Sequence, residues 1–324
     1  MPSATNATKA LHAIGFMGLL VIIASALDAG IGVAARRDLK SKANWVFEMK
    51  GGTYDYVVLG SSRAYRVVQV AAVDSGVRGR GLNLGQDGAS IPEIALMFDV
   101  FLRRNSTRRV LLEVDEFGLD SVWVSHPLHE YLYIAHLQDT AVAHMLHDYF
   151  GARELLWHYV PLIGYAEYND RVGIQSVMRV LRRQHAEYDS TGSAPPHYGV
   201  SAAAFDSARD TTYLVSESWV KDLERLLATA RTRRIPVTMF TATEYAPFRD
   251  AVRNRTALFD RYRAIGREYG AAFVEVADSD IAADRANFQD PRHLNARGAA
   301  IFSHRLGEAL RREWGPFTPA GRSP

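Results

Sequence analysis

Five short apolar runs recur along this chain with amphipathic stretches between them, and that alternation narrows the fold more than any other feature. Tyr54–Leu59 (YDYVVL), Gly81–Leu84, Arg109–Val114 (RVLLEV), Pro236–Thr241 (PVTMFT) and Ala272–Val276 (AFVEV) read as strands. Their residues are apolar consecutively rather than alternately, which suits strands covered on both faces, as in a parallel sheet. Helical patterns separate them. Pro92–Arg104 carries Ile94, Met97, Phe98, Phe101 and Leu102 at helical spacing; Ser218–Arg233 and Asp250–Tyr269 flank the fourth strand; Ala296–Trp314 closes in Arg311-Arg312. The expected architecture is a three-layer α/β/α domain with a five-stranded parallel sheet over residues 54–314. A Tyr-, His- and Trp-rich stretch at about 118–215 interrupts it as a helical insertion to Glu187, followed by a Ser/Gly/Pro loop at 190–196. No separate second domain is expected, and the Pro/Gly-rich residues 315–324 read as a tail.

A different pattern opens the chain after a tail of residues 1–10. Leu11–Leu27 is almost unbroken apolar, and with the partly apolar Ala29–Ala35 it reaches the roughly 20 residues a bilayer-spanning helix needs. Residues 11–35 are therefore expected as an uncleaved single-pass anchor in the lipid bilayer, with Asp28 near an interface, and residues 36–53 as a linker. A cleaved signal peptide is the rival reading, with Ala24-Ser25-Ala26 or Val33-Ala34-Ala35 as its cleavage site. Arg36, Arg37, Lys40 and Lys42 follow the apolar run, and taken alone they would keep the large domain cytoplasmic.

Composition excludes several classes. With 48% hydrophobic and 23% charged residues over 324 positions, the chain is not broadly disordered. No cysteine is present, which removes disulfides, thiolate metal sites and cysteine nucleophiles together. The net charge of +2 and the scattered Arg pairs give no track for nucleic acid, so none is expected as a partner.

Chemistry concentrates where strands end. In a doubly wound sheet, ligands sit at the carboxyl ends of the strands. Gly60-Ser61-Ser62 follows the first strand, Asn83 and Gly88 close the second, and Asp290-Pro291-Arg292-His293-Leu294-Asn295 precedes the last helix. The Asp290–His293 spacing lets the carboxylate reach one imidazole nitrogen while the other faces the sheet edge. In this order the blocks resemble the SGNH, or GDSL-like, hydrolase superfamily, from about Tyr54 to Leu310. The resemblance implies that Ser62 is a nucleophile, His293 its general base and Asp290 the group that orients the imidazole. It further implies an oxyanion hole built from the N–H groups of Ser62 and Gly88, with Arg63 and Asn83 as candidate substrate-binding residues, and no cofactor or metal. Ser61 stands where the family has Asp. That Gly-Ser-Ser form, behind an N-terminal anchor, is similar to the branches that assist acyl transfer to cell-envelope polymers. The resemblance thus implies a serine esterase or O-acyltransferase in a bacterial inner membrane, its globular domain periplasmic.

One departure stands out. The family's third block, Gly-x-Asn-Asp, supplies an Asn donor to the oxyanion hole, but here Glu113-Val114-Asp115-Glu116 takes its place, and Asp115 and Glu116 would repel a developing oxyanion. Losing one such donor costs about 10²–10³ in rate. The alternative expectation is accordingly a non-catalytic subunit docked on a larger integral membrane complex through the anchor and the 118–215 insertion. For Arg63 a salt-bridged residue at a helix start is the favoured reading over a substrate ligand, and Ser62 has an N-capping serine as its alternative. His126/His129 and His144/His147 with Asp148 invite a metal reading but offer no third ligand at a compelling distance. The aromatics from Trp123 to Tyr168 suit packing, or a belt near a membrane or partner.

Overall fold

A computed structural model describes residues 4–121, 129–194, 205 and 210–317. His126, Trp123, the Pro195-Pro196 end of the expected loop and the tail beyond Phe317 lie outside the described residues. The chain forms two compact units, Met1–Asn44 with His129–His185, and Trp45–Leu128 with Ala186–Pro324. The one-domain expectation thus differs from what is observed: much of the 118–215 stretch assembles with the N-terminal helix rather than being a decoration of the sheet.

The larger unit holds the sheet. Its strands are β1 Tyr56–Leu59, β2 Gly81–Asn83, β3 Val110–Glu113, β4 Val237–Phe240 and β5 Ala272–Phe273, all parallel, in the order β2-β1-β3-β4-β5. Val58 stands opposite Leu111, Leu111 opposite Thr238, and Thr238 opposite Ala272. Every residue of β1, β3 and β4 is buried, which is why those segments read as continuous apolar runs. On one face, Tyr56, Val58, Leu111 and Phe240 pack under Val73 and Val77 of the helix Val70–Val77 and under Phe302, Leu306 and Leu310 of the helix Ala296–Trp314. The helices Ile91–Arg104, Glu217–Thr232 and Arg255–Tyr269 form the opposite layer. β5 is shorter than the expected Ala272–Val276. β4 ends at Phe240, and just beyond Phe273 the Val274 N–H still bonds the Met239 carbonyl.

The smaller unit gathers the helices Thr140–Phe150, Ala152–Tyr159, Ile163–Glu167 and Ile174–Leu181 with the helix Ala4–Arg37. Within the stretch Thr8–Arg37 the most apolar 18 residues have mean hydropathy 2.2 and are wholly unburied; the stretch is long and apolar enough to cross a membrane. Asp28 accepts a hydrogen bond from the Leu162 N–H at 2.8 Å. The stretch 36–53, expected as a linker, instead contains the helix Lys42–Glu48. Asn44 ties the start of that helix to the end of the long one, donating to the carbonyls of Ala35 and Asp38, and its Oδ1 lies 2.7 Å from His136 Nε2.

Candidate active site

β1 is followed by Gly60, whose φ of +148° and close approach both demand glycine. A Cβ there would stand 2.7 Å from the Cβ atoms of Ala64 and Glu113. The chain turns at once into the helix Ser62–Val67, with Ser61 as N-cap accepting from the Arg63 N–H. Ser62 is thereby held in the first helical turn, where its own N–H has no intrahelical acceptor.

The second strand of chemistry comes from the far end of the chain. Phe288–Asp290 pairs antiparallel with His293–Leu294, and Asn295 locks the turn to the last helix. The Asn295 side chain accepts from Arg297 and Gly298 N–H groups and donates to the carbonyls of Ala286 and Phe288. This short scaffold brings the Ser62 Oγ to 2.8 Å from His293 Nε2. His293 Nδ1 lies 2.9 Å and 3.0 Å from the two Asp290 oxygens. Asp290 also accepts the backbone N–H groups of Arg292 and His293. Burial raises the Asp290 pKa, but the His293 hydrogen bond and charge together with those two N–H donors outweigh it, and the carboxyl ends below its ordinary value. An ionised Asp290 keeps the proton of a neutral imidazole on Nδ1 and leaves Nε2 free to accept from Ser62.

The three residues face a cavity of about 730 Å³ with mostly apolar walls, among them Ile91, Ile94, Phe117, Trp219 and Phe248. Gly88, at φ +66°, lines the same cavity, and among the described residues its N–H donates to nothing. Two polar groups in the wall carry no signal in the sequence. The Trp219 indole N–H is buried without an acceptor among the described residues. The Arg292 guanidinium lies 3.9 Å over the Phe117 ring, with no carboxylate paired to it among those residues. Both come from segments whose patterns speak only of helix or turn, so only their assembly around one hollow reveals them.

Arg63 is among the residues lining the cavity but is taken up by carboxylates, and Asn83 is not among the lining residues. Arg63 is only 3% exposed, and its guanidinium is shared among Glu113 (3.1 Å), Asp115 (3.4 Å), Glu116 (3.7 Å) and Glu244 (2.7 Å). Arg255 adds a second cation at 2.6 Å from Glu116. The Arg63 Nη atoms and the oxygens of Glu116 and Glu244 meet at ion-pair distance without hydrogen-bond angles, so this part of the cluster is Coulombic rather than directional. Asn83 is fully buried, donating to the carbonyls of Ala64 and Val68 and accepting from Gly85 N–H; it braces the loop after β2. The expected repulsion from Asp115 and Glu116 is also tempered. Asp115 is engaged by the Gly118 N–H at 2.7 Å and by the Ser61 hydroxyl at 3.2 Å, and Glu116 is turned to Arg255. His147 lies 3.8 Å from Glu154, and among the described residues no three His, Cys, Asp or Glu side chains converge as a metal site requires.

Four carboxylates against two guanidinium groups cannot all ionise comfortably in a buried site. Burial pushes the Glu113 carboxyl up to about 7, against the pull of Arg63, and burial likewise raises Glu244. Folded Glu113 thus keeps its proton through the range from 4.5 to about 7, where the unfolded chain has lost it. Stability is therefore lost as pH rises through that window. Glu113→Gln cannot ionise and is expected to flatten this slope. In paired thermal melts the variant should gain on the parent between about pH 5 and about pH 8; a constant difference across that range would remove Glu113 as the titrating group.

No family model matches this sequence, and no curated protein matches it either. Among solved structures, the crystal structure of LAE5, an alpha/beta hydrolase enzyme from the metagenome of Lake Arreo, Spain, is similar over 82% of this chain and 96% of its own. The identity is 12% and the TM-score 0.39, a likeness too slight to carry an argument.

Proposed function

We propose that the protein is a membrane-anchored serine esterase or O-acyltransferase of the SGNH, or GDSL-like, type, working through an acyl-Ser62 intermediate on a cell-envelope substrate. Its globular domain would face the periplasm of a bacterial inner membrane, anchored by the helix Ala4–Arg37. The observation that carries this reading is the Ser62–His293–Asp290 hydrogen-bond chain opening on an apolar cavity. The sheet order, with Ser62 after the interior strand β1 and His293 before the last helix, supports it.

The chemistry follows from the contacts. Ser62 Oγ attacks the carbonyl carbon of an acyl ester as its proton passes to His293 Nε2. The charge that develops on the carbonyl oxygen faces the N–H groups of Ser62 and Gly88, and Arg292 and Trp219 are the nearby groups able to replace the family's missing Asn donor. The leaving alcohol takes the proton from Nε2. Water or a glycan hydroxyl then gives its proton to Nε2 as its oxygen attacks the acyl carbon, and Nε2 returns that proton to Ser62 Oγ as the acyl–serine bond breaks. Asp290 stabilises the imidazolium at each turn without being protonated itself.

Labelling of the purified full-length chain with a fluorophosphonate tests this directly. The expected result is one covalent adduct per chain, absent in Ser62→Ala and in His293→Ala. No adduct on folded protein would move the reading to a non-catalytic subunit of a larger membrane complex. The departure at Glu113-Val114-Asp115-Glu116 is what favours that second reading. It predicts stoichiometric co-migration with other membrane proteins in mild detergent.

A further inference from the structure

Two helices of the smaller unit are built inside out. In Ile174–Leu181, the one fully buried residue is Ser176, and Arg179 turns inward to bond Asp38 Oδ2 at 2.7 Å. Its apolar residues Ile174, Met178 and Leu181, spaced four and three apart on one face, point out and are 38–72% exposed. The helix Ala152–Tyr159 repeats the arrangement. Glu154 and Trp157 are buried, with the indole donating to Glu167 at 2.7 Å, whereas Leu155, Leu156, Tyr159 and the capping Val160 are exposed, Tyr159 by 73%. A water-facing helix puts its polar stripe outside. Two helices that reverse this in one small unit leave apolar faces exposed that call for a covering.

The long helix of the same unit says what covers it. Leu11–Leu27 ends at Asp28, and Asp28 is bonded to the Leu162 N–H, two residues beyond Val160. Gly32, one turn further, packs against the Tyr165 hydroxyl so closely that a Cβ would lie 3.1 Å from it. Val160 is therefore held at the level where the apolar run stops, and an apolar core about 30 Å thick that takes this helix has its boundary there. Tyr159 suits that level, because its ring is apolar and its hydroxyl is wet. Gly173, just before the helix Ile174–Leu181, packs on Tyr165, so Ile174 sits near that level, whereas Arg179 reaches on to Asp38, further from the boundary. We infer that the outward face of the helix Ala152–Tyr159 and the Ile174 end of the helix Ile174–Leu181 lie in the headgroup region of the bilayer that the helix Ala4–Arg37 crosses, as a second lipid contact. This rests on the anchor reading of the long helix.

The chain has no cysteine, so single cysteines can carry an environment-sensitive nitrobenzoxadiazole label without background. The full chain is reconstituted in vesicles of phosphatidylcholine and phosphatidylglycerol, labelled in turn at Leu156→Cys, Tyr159→Cys and Ile174→Cys. Ile22→Cys reports on the span, and Arg225→Cys, exposed on the larger unit, serves as the water-facing control. The expected result is a blue shift at 156, 159 and 174 and loss of more than half the emission to a shallow nitroxide lipid, with a water-like, unquenched signal at 225. Water-like emission at the three helix positions while position 22 is quenched by a deep nitroxide overturns the inference and leaves the anchor standing. Water-like emission at position 22 as well overturns both. Emission that is water-like in vesicles but blue-shifted in native membranes also overturns it, and assigns the face to a protein.

Discussion

Replacing His293 with alanine is expected to lower acyl-ester turnover by about 10⁴–10⁶-fold while leaving the chain folded. At 2.8 Å from Ser62 Oγ, Nε2 is the only base within reach of the hydroxyl among the described residues, and without it the serine is a weak nucleophile at neutral pH. The fold should survive because the turn is held from elsewhere, by the side chain of Asn295 and by the pairing of Phe288 with Leu294. Asp290→Asn is the finer test, with an expected loss of about 10⁴-fold. An Asn can still accept the N–H groups of Arg292 and His293 through its carbonyl oxygen. Its amide then faces Nδ1 as a donor, which drives the ring proton to Nε2 and turns the acceptor for Ser62 into a donor. Steady-state turnover of a chromogenic acyl ester, with a melting curve for each variant, reads both. Full activity in either variant would sink the triad.

What the sequence reveals about this molecule depends on how far apart the interacting residues lie. β1, β3 and β4 are legible because a strand buried on both faces must be apolar at every position, whoever its neighbours are. The end of β5 is not legible, because pairing past Phe273 depends on where β4 stops. Asp290 and His293 stand out as a local pair, three residues apart on one turn. Arg63 does not: its partners come from positions 113, 115, 116 and 244, and no local pattern distinguishes a buried hub from a surface arginine. The helix Ile174–Leu181 shows a third limit. Its stripe of Ile174, Met178 and Leu181 announces an amphipathic helix, but periodicity carries no sign for which stripe is inside, and here the polar one is. The division of the chain into two units is hidden for the same reason, since the 129–185 segment and the N-terminal helix are joined by contacts across a long stretch of sequence.

Arg63→Met is expected to destabilise the larger unit by about 3–5 kcal/mol, more than any exposed substitution would. The cost does not come from the value of four salt bridges. It comes from what remains: Glu113, Asp115, Glu116 and Glu244 stay buried, with Arg255 the one cation paired to them among the described residues. For a unit of this size such a loss lowers the melting temperature by about 10–15 °C. Lysine should not rescue it well, because a single ammonium cannot meet carboxylates on several sides as the planar guanidinium does. Removing a carboxylate should. In Arg63→Met/Glu244→Gln the destabilisation is expected to be clearly less than in Arg63→Met alone, a coupling that a double-mutant cycle measures directly. Such a rescue would show that the cluster is held by charge balance. A rescue confined to low pH, where the carboxyls reprotonate, would support the same cause by an independent route. Because Glu113 and Asp115 also receive the Ser61 hydroxyl, the residue that caps the helix carrying Ser62, loss of Arg63 should disturb the nucleophile's position too. Turnover in Arg63→Met should then fall even below the temperature at which the variant unfolds. Arg63→Met with parental melting and parental turnover would leave the cluster without a role in either.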